Sequence, residues 1–118
     1  MKLLIAGSRS ITEFDLTSFI PDDVELIISG GAVGIDTVAE AYADAHRLSK
    51  LILRPRYAKY GRAAPIRRNE AMVELADAVL VIWDGVSKGT QSTIRHAQKA
   101  GKAVTVIRAD GSVMEGSW

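Results

Sequence analysis

Glycine and hydroxyl residues occur together in three short segments of this sequence, and two of these segments also contain a basic residue. The residues in them that could contact a ligand are Gly7, Ser8, Arg9, Ser29, Gly30, Gly31, Gly34, Asp36, Trp83, Asp84, Gly85, Ser87, Lys88, Gly89 and Thr90. Arginine can hold a phosphate through two parallel hydrogen bonds. A glycine turn at the start of a helix exposes backbone N–H groups that bind anions. The combination predicts a site for a phosphate-bearing ligand.

The segment 29–36, Ser-Gly-Gly-Ala-Val-Gly-Ile-Asp, is the most specific of the three. Gly30 and Gly31 allow a ligand to approach the backbone closely, and Gly34 allows a helix to pack tightly on a sheet. The segment is not a Walker motif, because no Gly-Lys-Ser/Thr follows, and it lacks the Gly-x-Gly-x-x-Gly spacing of dinucleotide sites. Asp36 either offsets a helix dipole in the first helical turn or contacts a ribose hydroxyl.

Two further positions supply candidate site residues. Arg68 and Asn69 begin a helical pattern and are expected in the site, whereas Arg67 beside them is expected on the surface. Trp83 has two open interpretations, since its ring could stack on a base or fill the core at a strand end. Thr90 could cap the helix that follows it.

Composition excludes several kinds of chemistry. The chain has 118 residues and no cysteine, so disulfides, thiolate metal sites and cysteine nucleophiles are excluded. Its histidines, His46 and His96, have no partner at metal-ligand spacing, so neither a metal nor another cofactor is predicted. Spacing identifies no Ser-His-Asp arrangement and no acid–base pair of carboxylates. The sequence therefore leaves open whether the protein is an enzyme.

Charge is unevenly distributed, although the net charge is only +1 at pH 7. The segment 47–68 holds 8 of the 15 lysines and arginines and no acid. An acidic body with one basic segment favours a localised anion site over a general nucleic-acid surface. The alternative is that these are solvated loop charges.

Apolar runs and helical spacing indicate the elements that would hold these residues. Strands are predicted over 2–6, 24–28, 51–53, 78–83 and 103–107, helices over 11–20, 33–48, 65–76 and 90–100, and a functional loop over 54–64. The tail from 109 to 118 shows little pattern. Alternating strands and helices predict one α/β domain over 1–118, with three layers and a parallel sheet of about five strands.

This Rossmann-like or flavodoxin-like sheet is expected to have the strand order 3-2-1-4-5. Ligands of such sheets bind outside the carboxyl ends of the strands, where all three glycine turns fall. The longest apolar run, 78–83, is too short to span a membrane, and no secretory signal is visible at the N-terminus. A cytoplasmic protein is therefore expected.

Taken together, these motifs resemble those of the SLOG superfamily of Rossmann-like nucleotide-ligand-binding domains, and within it the single-domain branch related to YspA and YpsA. The resemblance covers residues 2 to about 107 and also rests on Arg68-Asn69-x-x-Met72 and Ala76-Asp77. It implies binding of a nucleotide or ADP-ribose-like small molecule, which the protein would sense, sequester or process. It also implies self-association, because these domains often pair through their helices.

Two related families frame the alternatives. The LOG-type phosphoribohydrolases, which cleave a base from a nucleoside monophosphate, share the spacing from Arg68 to Met72 and the pair Gly89-Thr90. They carry a catalytic glutamate where this chain has Thr93, which argues against the same hydrolysis.

The DNA-processing protein A family binds single-stranded DNA and resembles segments 29–36 and 87–106, but it has additional domains. Only Tyr57 and Tyr60 interleave the basic segment, so nucleic-acid binding is less expected than nucleotide binding.

Overall fold

The computed structural model describes residues 1–115, and Trp118 at the end of the patternless tail lies outside them. Five parallel strands form one sheet. The strands are β1 (Lys2–Gly7), β2 (Leu26–Ser29), β3 (Ser49–Ile52), β4 (Ala78–Ile82) and β5 (Ala103–Ile107), in the order 3-2-1-4-5. In the register, Leu3 of β1 lies opposite both Ile27 of β2 and Ala78 of β4. The predicted parallel sheet and its strand order are confirmed.

Helices cover both faces of this sheet. The helices are α1 (Ile35–Ala45), α2 (Tyr57–Tyr60), α3 (Ala64–Leu75) and α4 (Lys88–Lys99), with 3-10 turns at Thr17–Phe19 and Gly61–Ala63. Helix α1 packs on one face, and α3 and α4 pack beside each other on the other face. The arrangement is the expected three-layer, Rossmann-like α/β fold.

Alternate residues of the strands supply two separate hydrophobic cores, because successive side chains of a strand point to opposite faces. Leu3 and Ile5 of β1 pack with Ile35 of α1. Leu4 and Ala6 join the opposite core with α3 and α4. Since the central strands are covered on both sides, they read in the sequence as continuous apolar runs.

The helix predicted over 11–20 is wrong. This segment is irregular except for the 3-10 turn Thr17–Phe19. The Asp15 carboxylate accepts the backbone N–H two residues further on at 3.0 Å, a local bond that competes with helical hydrogen bonds. Ile11 and Leu16 are buried in the α1-side core, so their spacing reflects tertiary packing of an irregular segment.

The loop predicted over 54–64 also differs from the structure. Helix α2 and the 3-10 turn Gly61–Ala63 occupy much of it, and both lie directly before α3. Helix α4 begins at Lys88, two residues before the predicted start, and α1 begins at Ile35 and not at residue 33. Because α1 starts later than predicted, residues 30–34 form a non-helical turn between β2 and α1.

Candidate functional site

A cavity of about 450 Å³ lies at the carboxyl ends of β1 and β4, at the point where the strand order reverses. The turn after β1, the start of α1, the inner side of α3 and the first two turns of α4 surround it. Nine of the residues predicted for the site line this cavity: Gly7, Arg9, Asp36, Arg68, Asn69, Asp84, Ser87, Gly89 and Thr90. Four chain segments that are distant in the sequence therefore meet at one place.

Buried polar residues concentrate at this end of the sheet. In the described residues 1–115 they are Ser8, Ser29, Asp36, Asn69, Thr90 and Thr93. Four of these, Asp36, Asn69, Thr90 and Thr93, line the cavity. Burying polar groups costs free energy unless they are hydrogen-bonded. A few convergent polar side chains in one cavity are typical of a small-ligand site.

The first turn of α4 contributes Gly89 and Thr90 to the cavity lining. The first amide of this turn with a backbone partner is that of Gln91, which donates to the carbonyl of Ser87 at 3.2 Å. The described part of the chain offers no partner to the preceding amides, those of Lys88, Gly89 and Thr90. A helix N-terminus with unpaired N–H groups carries a partial positive charge and attracts anions.

A chain of three hydroxyl groups connects the turn after β1 with the start of α4. The Ser8 hydroxyl accepts the Asp84 backbone N–H at 2.9 Å and lies 3.2 Å from the Ser87 hydroxyl. The Ser87 hydroxyl donates to Thr90 Oγ1 at 2.9 Å. Because Ser87 has one proton, Ser8 must donate to it, and Thr90 keeps its own proton for another acceptor. Ser8 therefore orients the site without lining it.

Asp84 shapes the turn between β4 and α4. Its Oδ1 accepts the backbone N–H groups of Val86 and Ser87 at 2.9 and 2.8 Å, and its Oδ2 accepts the Ser10 hydroxyl at 3.2 Å. Asp84 is exposed, and although some loss of hydration opposes its ionisation, these hydrogen bonds hold the pKa of Asp84 below its ordinary value. Gly85 lies in this turn with a φ of +86°. Asp84 therefore stabilises the turn between β4 and α4 through its own hydrogen bonds.

Arg68 connects α3 to the turns after β2 and β3. Its Nη1 donates to the carbonyls of Gly30 and Leu53 at 2.8 and 3.2 Å, and its Nε donates to Asn69 Oδ1 at 2.9 Å. Burial lowers the pKa of Arg68, and the charge of Asp36 opposes this effect. The guanidinium remains protonated, because its pKa stays far above neutrality in proteins. Arg68 therefore places a half-buried positive charge at the cavity.

Gly30 and Gly31 leave room for arginine side chains. A Cβ at Gly30 would lie 2.7 Å from Arg68 Nη1, and one at Gly31 would lie 2.8 Å from Arg54 Nη1. Arg54 Nη1 donates to the Gly31 carbonyl at 2.9 Å. Neither glycine lines the cavity. The close approach expected of a ligand at these positions is made instead by the protein's own guanidinium groups.

Asp36 is the buried acid of the site, with 8% of its surface exposed. Its Oδ2 accepts the backbone N–H of Ala32 at 3.1 Å. Burial raises the pKa of Asp36, the Ala32 hydrogen bond and the charges of Arg68 and Arg9 oppose the rise, and Glu40 adds to it. The two roles predicted for Asp36 are compatible, because it lies in the first turn of α1 and also lines the cavity.

Six other predicted residues lie beside the cavity without lining it. They are Ser8, Ser29, Gly34, Trp83, Gly85 and Lys88. The Ser29 hydroxyl donates to Glu40 Oε2 at 2.8 Å. The Trp83 ring belongs to the core with α3 and α4, and its indole N–H donates to the Ser87 carbonyl at 3.0 Å. Of the two interpretations of Trp83, the structure supports filling of the core.

Thr93 lines the cavity but was not among the predicted site residues. It follows Thr90 by one helical turn, so the two side chains share a face of α4. Its hydroxyl donates to the Gly89 carbonyl at 3.3 Å. Two sequence signals point to this position: the phosphoribohydrolases carry their catalytic glutamate there, and two threonines three residues apart follow a glycine turn.

Several residues of the basic segment 47–68 have partners within the protein. Arg54 and Arg68 donate to backbone carbonyls, Lys50 pairs with Asp44 at 2.9 Å, and Arg67 pairs with Glu70 at 3.5 Å on the surface, as predicted. Four of the eight basic side chains of this segment are thus engaged within the protein.

Residues 1–115 contain no group of three or more acidic or histidine side chains that could hold a metal ion. In the same residues, no helix has the length and apolar character needed to cross a membrane. No protein-family model matches this chain, and no curated protein matches it. The SLOG resemblance and the cytoplasmic location therefore stay predictions from the sequence.

Proposed function

We propose that this protein binds a nucleotide or an ADP-ribose-like small molecule in the cavity at the carboxyl ends of β1 and β4. One observation carries the proposal: the unpaired N–H groups at the start of α4 adjoin a cavity lined by four buried polar side chains. Anion-binding amides and several convergent polar groups in one concave site are the features of a phosphate-bearing small ligand.

The phosphate of this ligand binds at the start of α4. The amides of Gly89 and Thr90 and the Thr90 hydroxyl donate to its oxygens, and the exposed Arg9 adds a positive charge from the turn after β1. Hydrogen bonds to an anion are shorter and stronger than those between neutral groups. The donors are also held in place before binding, which lowers the entropy lost when the ligand is ordered.

The cavity suits a small molecule better than a nucleic-acid strand. Its volume of about 450 Å³ lies within the range of roughly 300–1,000 Å³ typical of small-molecule sites. Binding of a single strand would need a long positive groove with aromatic stacking platforms. Lys50 and Arg67 pair with carboxylates, and Arg54 and Arg68 use N–H groups on backbone carbonyls, so fewer cationic donors remain for such a groove.

Hydrolysis of an N-glycosidic bond is the alternative function of this cavity. It is weakened by Thr93, which lines the cavity at the position where the phosphoribohydrolases carry a catalytic glutamate. A hydroxyl cannot supply the negative charge that stabilises an oxocarbenium-like transition state. Asp36 is the buried carboxylate that lines the same cavity, so each nucleotide is also incubated with the protein and assayed for release of free base.

A thermal-shift panel of nucleoside monophosphates, cyclic nucleotides, NAD, ADP-ribose and a short single strand tests the proposal. A ligand present at about 100 times its Kd should stabilise the protein by about 2.7 kcal/mol, a shift of several degrees for a domain of this size. Arg9→Ala should reduce the shift. Arg62→Ala is the matched control, because Arg62 is exposed and does not line the cavity.

The outcomes separate the three functions. Stabilisation by a nucleotide, reduced in the Arg9 variant only, supports the proposal. Release of free base with turnover would replace binding by hydrolysis. A response confined to the oligonucleotide, fading steeply with salt, would identify a nucleic-acid binder. No response to any nucleotide would contradict the proposal.

A further inference from the structure

Three polar side chains on the α1 and α3 sides of the cavity each have an atom that makes no hydrogen bond within the described part of the protein and could bind a ligand. Asp36 uses Oδ2 for the Ala32 amide, Arg68 uses Nε and Nη1, and Asn69 uses Oδ1. In residues 1–115, no partner is found for Asp36 Oδ1, Arg68 Nη2 or Asn69 Nδ2, and no fully buried side-chain polar atom lacks one. These atoms are therefore accessible, and all three residues line the cavity.

The hydrogen bonds already made fix which kind of group each residue offers. Because Asn69 Oδ1 accepts from Arg68 Nε, its Nδ2 is the atom left to donate. Asn69 is 6% exposed and Asp36 is 8% exposed, so packing restricts both side chains. This part of the cavity thus presents one carboxylate acceptor next to amide and guanidinium donors.

From this geometry we infer that the ligand is a ribonucleotide, with its vicinal 2′,3′-diol bound by Asp36 and by the donors of Asn69 and Arg68. The inference rests on the proposed function and names its ligand class. Each hydroxyl of a diol both donates and accepts, so a carboxylate beside two N–H donors satisfies adjacent hydroxyls. A phosphate or a second carboxylate in this position would be repelled by the ionised Asp36, because an ionised carboxylate can accept hydrogen bonds but cannot donate one.

The same reasoning gives the ligand one orientation in the cavity. Phosphate oxygens go to the amides at the start of α4, where the helix N-terminus attracts negative charge. The sugar hydroxyls go to Asp36, which repels phosphate. Asp84 has fewer free acceptor positions than Asp36, because its Oδ1 accepts two backbone N–H groups of its own turn and its Oδ2 accepts the Ser10 hydroxyl.

Isothermal titration of the wild-type protein with paired ligands tests the inference. The probes are the four ribonucleoside 5′-monophosphates and their four 2′-deoxy counterparts, with ADP-ribose and NAD as further ligands. A site built around hydroxyls leaves polar groups unpaired when one hydroxyl is missing. We expect the ribonucleotide that binds most tightly to exceed its 2′-deoxy form by about ten- to a hundred-fold in affinity, the size of a lost hydrogen bond to a charged group.

Asp36→Asn is the matching variant, because an amide oxygen can still accept the Ala32 N–H while the negative charge is lost. The ratio of ribo to deoxy affinity should fall to a few-fold in this variant. Glu40→Gln is the control: Glu40 lies near Asp36 but outside the cavity lining. It should leave the ratio unchanged.

The outcomes distinguish this inference from the proposed function. Equal affinities of the wild type for ribo and deoxy forms would overturn the diol and leave nucleotide binding intact. If none of the eight monophosphates binds, the inference fails whether or not ADP-ribose binds. The proposed function fails only if ADP-ribose, NAD and the cyclic nucleotides also leave the protein unaffected.

Discussion

At the scale of single residues, the site contains a buried carboxylate, that of Asp36, whose ionised form is destabilised by the loss of water around it. Burial has the largest effect on the pKa of Asp36 and raises it, although the positive charges of Arg68 and Arg9 act in the opposite direction. Such a residue costs stability in the free protein. That cost is understandable if the carboxylate serves a ligand, because sites of binding and catalysis often retain groups that the fold alone would not favour.

Replacing Asp36 by asparagine should therefore stabilise the ligand-free protein at neutral pH, by about 0.5–2 kcal/mol. The native state holds the Asp36 proton more tightly than the unfolded state does, so wild-type stability falls as pH rises from the ordinary aspartate pKa through the raised one. The advantage of Asp36→Asn should shrink again as pH falls through that window. Urea unfolding at several pH values measures this difference.

The prediction is contradicted if the difference in unfolding free energy between wild type and Asp36→Asn does not change with pH, or if the variant is the less stable protein at neutral pH. Either result would show that the contacts of the Asp36 carboxylate stabilise the protein by more than its burial costs. Glu40→Gln provides the control, since it removes a nearby carboxylate that contributes to the raised pKa of Asp36. Glu40→Gln should also stabilise the ligand-free protein at neutral pH, but by less than Asp36→Asn does.

At the scale of elements, the site depends on how tightly α1 meets the turn after β1. Gly34 precedes α1 with a φ of +82°, and a Cβ there would lie 2.5 Å from the Ser8 carbonyl oxygen and 2.6 Å from Arg9 Cα. The Ser8 carbonyl also accepts the backbone N–H groups of Ile11 and Ile35. One carbonyl thus ties β1, the irregular segment after it and the start of α1 together.

Gly34→Ala should destabilise the protein by about 2–5 kcal/mol, because the left-handed conformation is strained for alanine and the new methyl group meets backbone atoms. Gly89→Ala is the matched control. Gly89 lies in the first turn of α4, and nothing lies within 4 Å of a Cβ built on it. It should be neutral or slightly stabilising. Chemical denaturation compares the two, and equal losses would contradict the packing argument.

At the scale of the whole molecule, the fold was more predictable than the contacts of its site. Continuous apolar runs identified the strands, because a strand covered on both faces has no polar positions. The helix predicted over 11–20 failed, since Ile11 and Leu16 are spaced by tertiary packing and not by helical turns. The sequence also could not show that Gly31 makes room for Arg54, which is 23 residues away. Such contacts depend on side-chain directions across the fold.

Self-association through the helices stays a prediction at this scale, and so does the membership of the SLOG superfamily. The segment from 54 to 64 shows why local signals fall short. Its Pro55 and Gly61 indicate a loop, yet α2 and a 3-10 turn form there. Contacts among α2, the 3-10 turn and α3 stabilise these short elements, and isolated helices of this length are not stable in water.

The bond between Ser8 and the Asp84 amide joins residues 76 positions apart, and this separation has a kinetic consequence. The ligand site exists only after the turn that follows β1 has met the turn that follows β4, and contacts of such long range are costly to form early in folding. A nucleotide should therefore slow unfolding while leaving the refolding rate nearly unchanged. Stopped-flow refolding and unfolding with and without ligand measure both rates. A ligand that accelerated refolding instead would mean that β1 and β4 meet before the rate-limiting step.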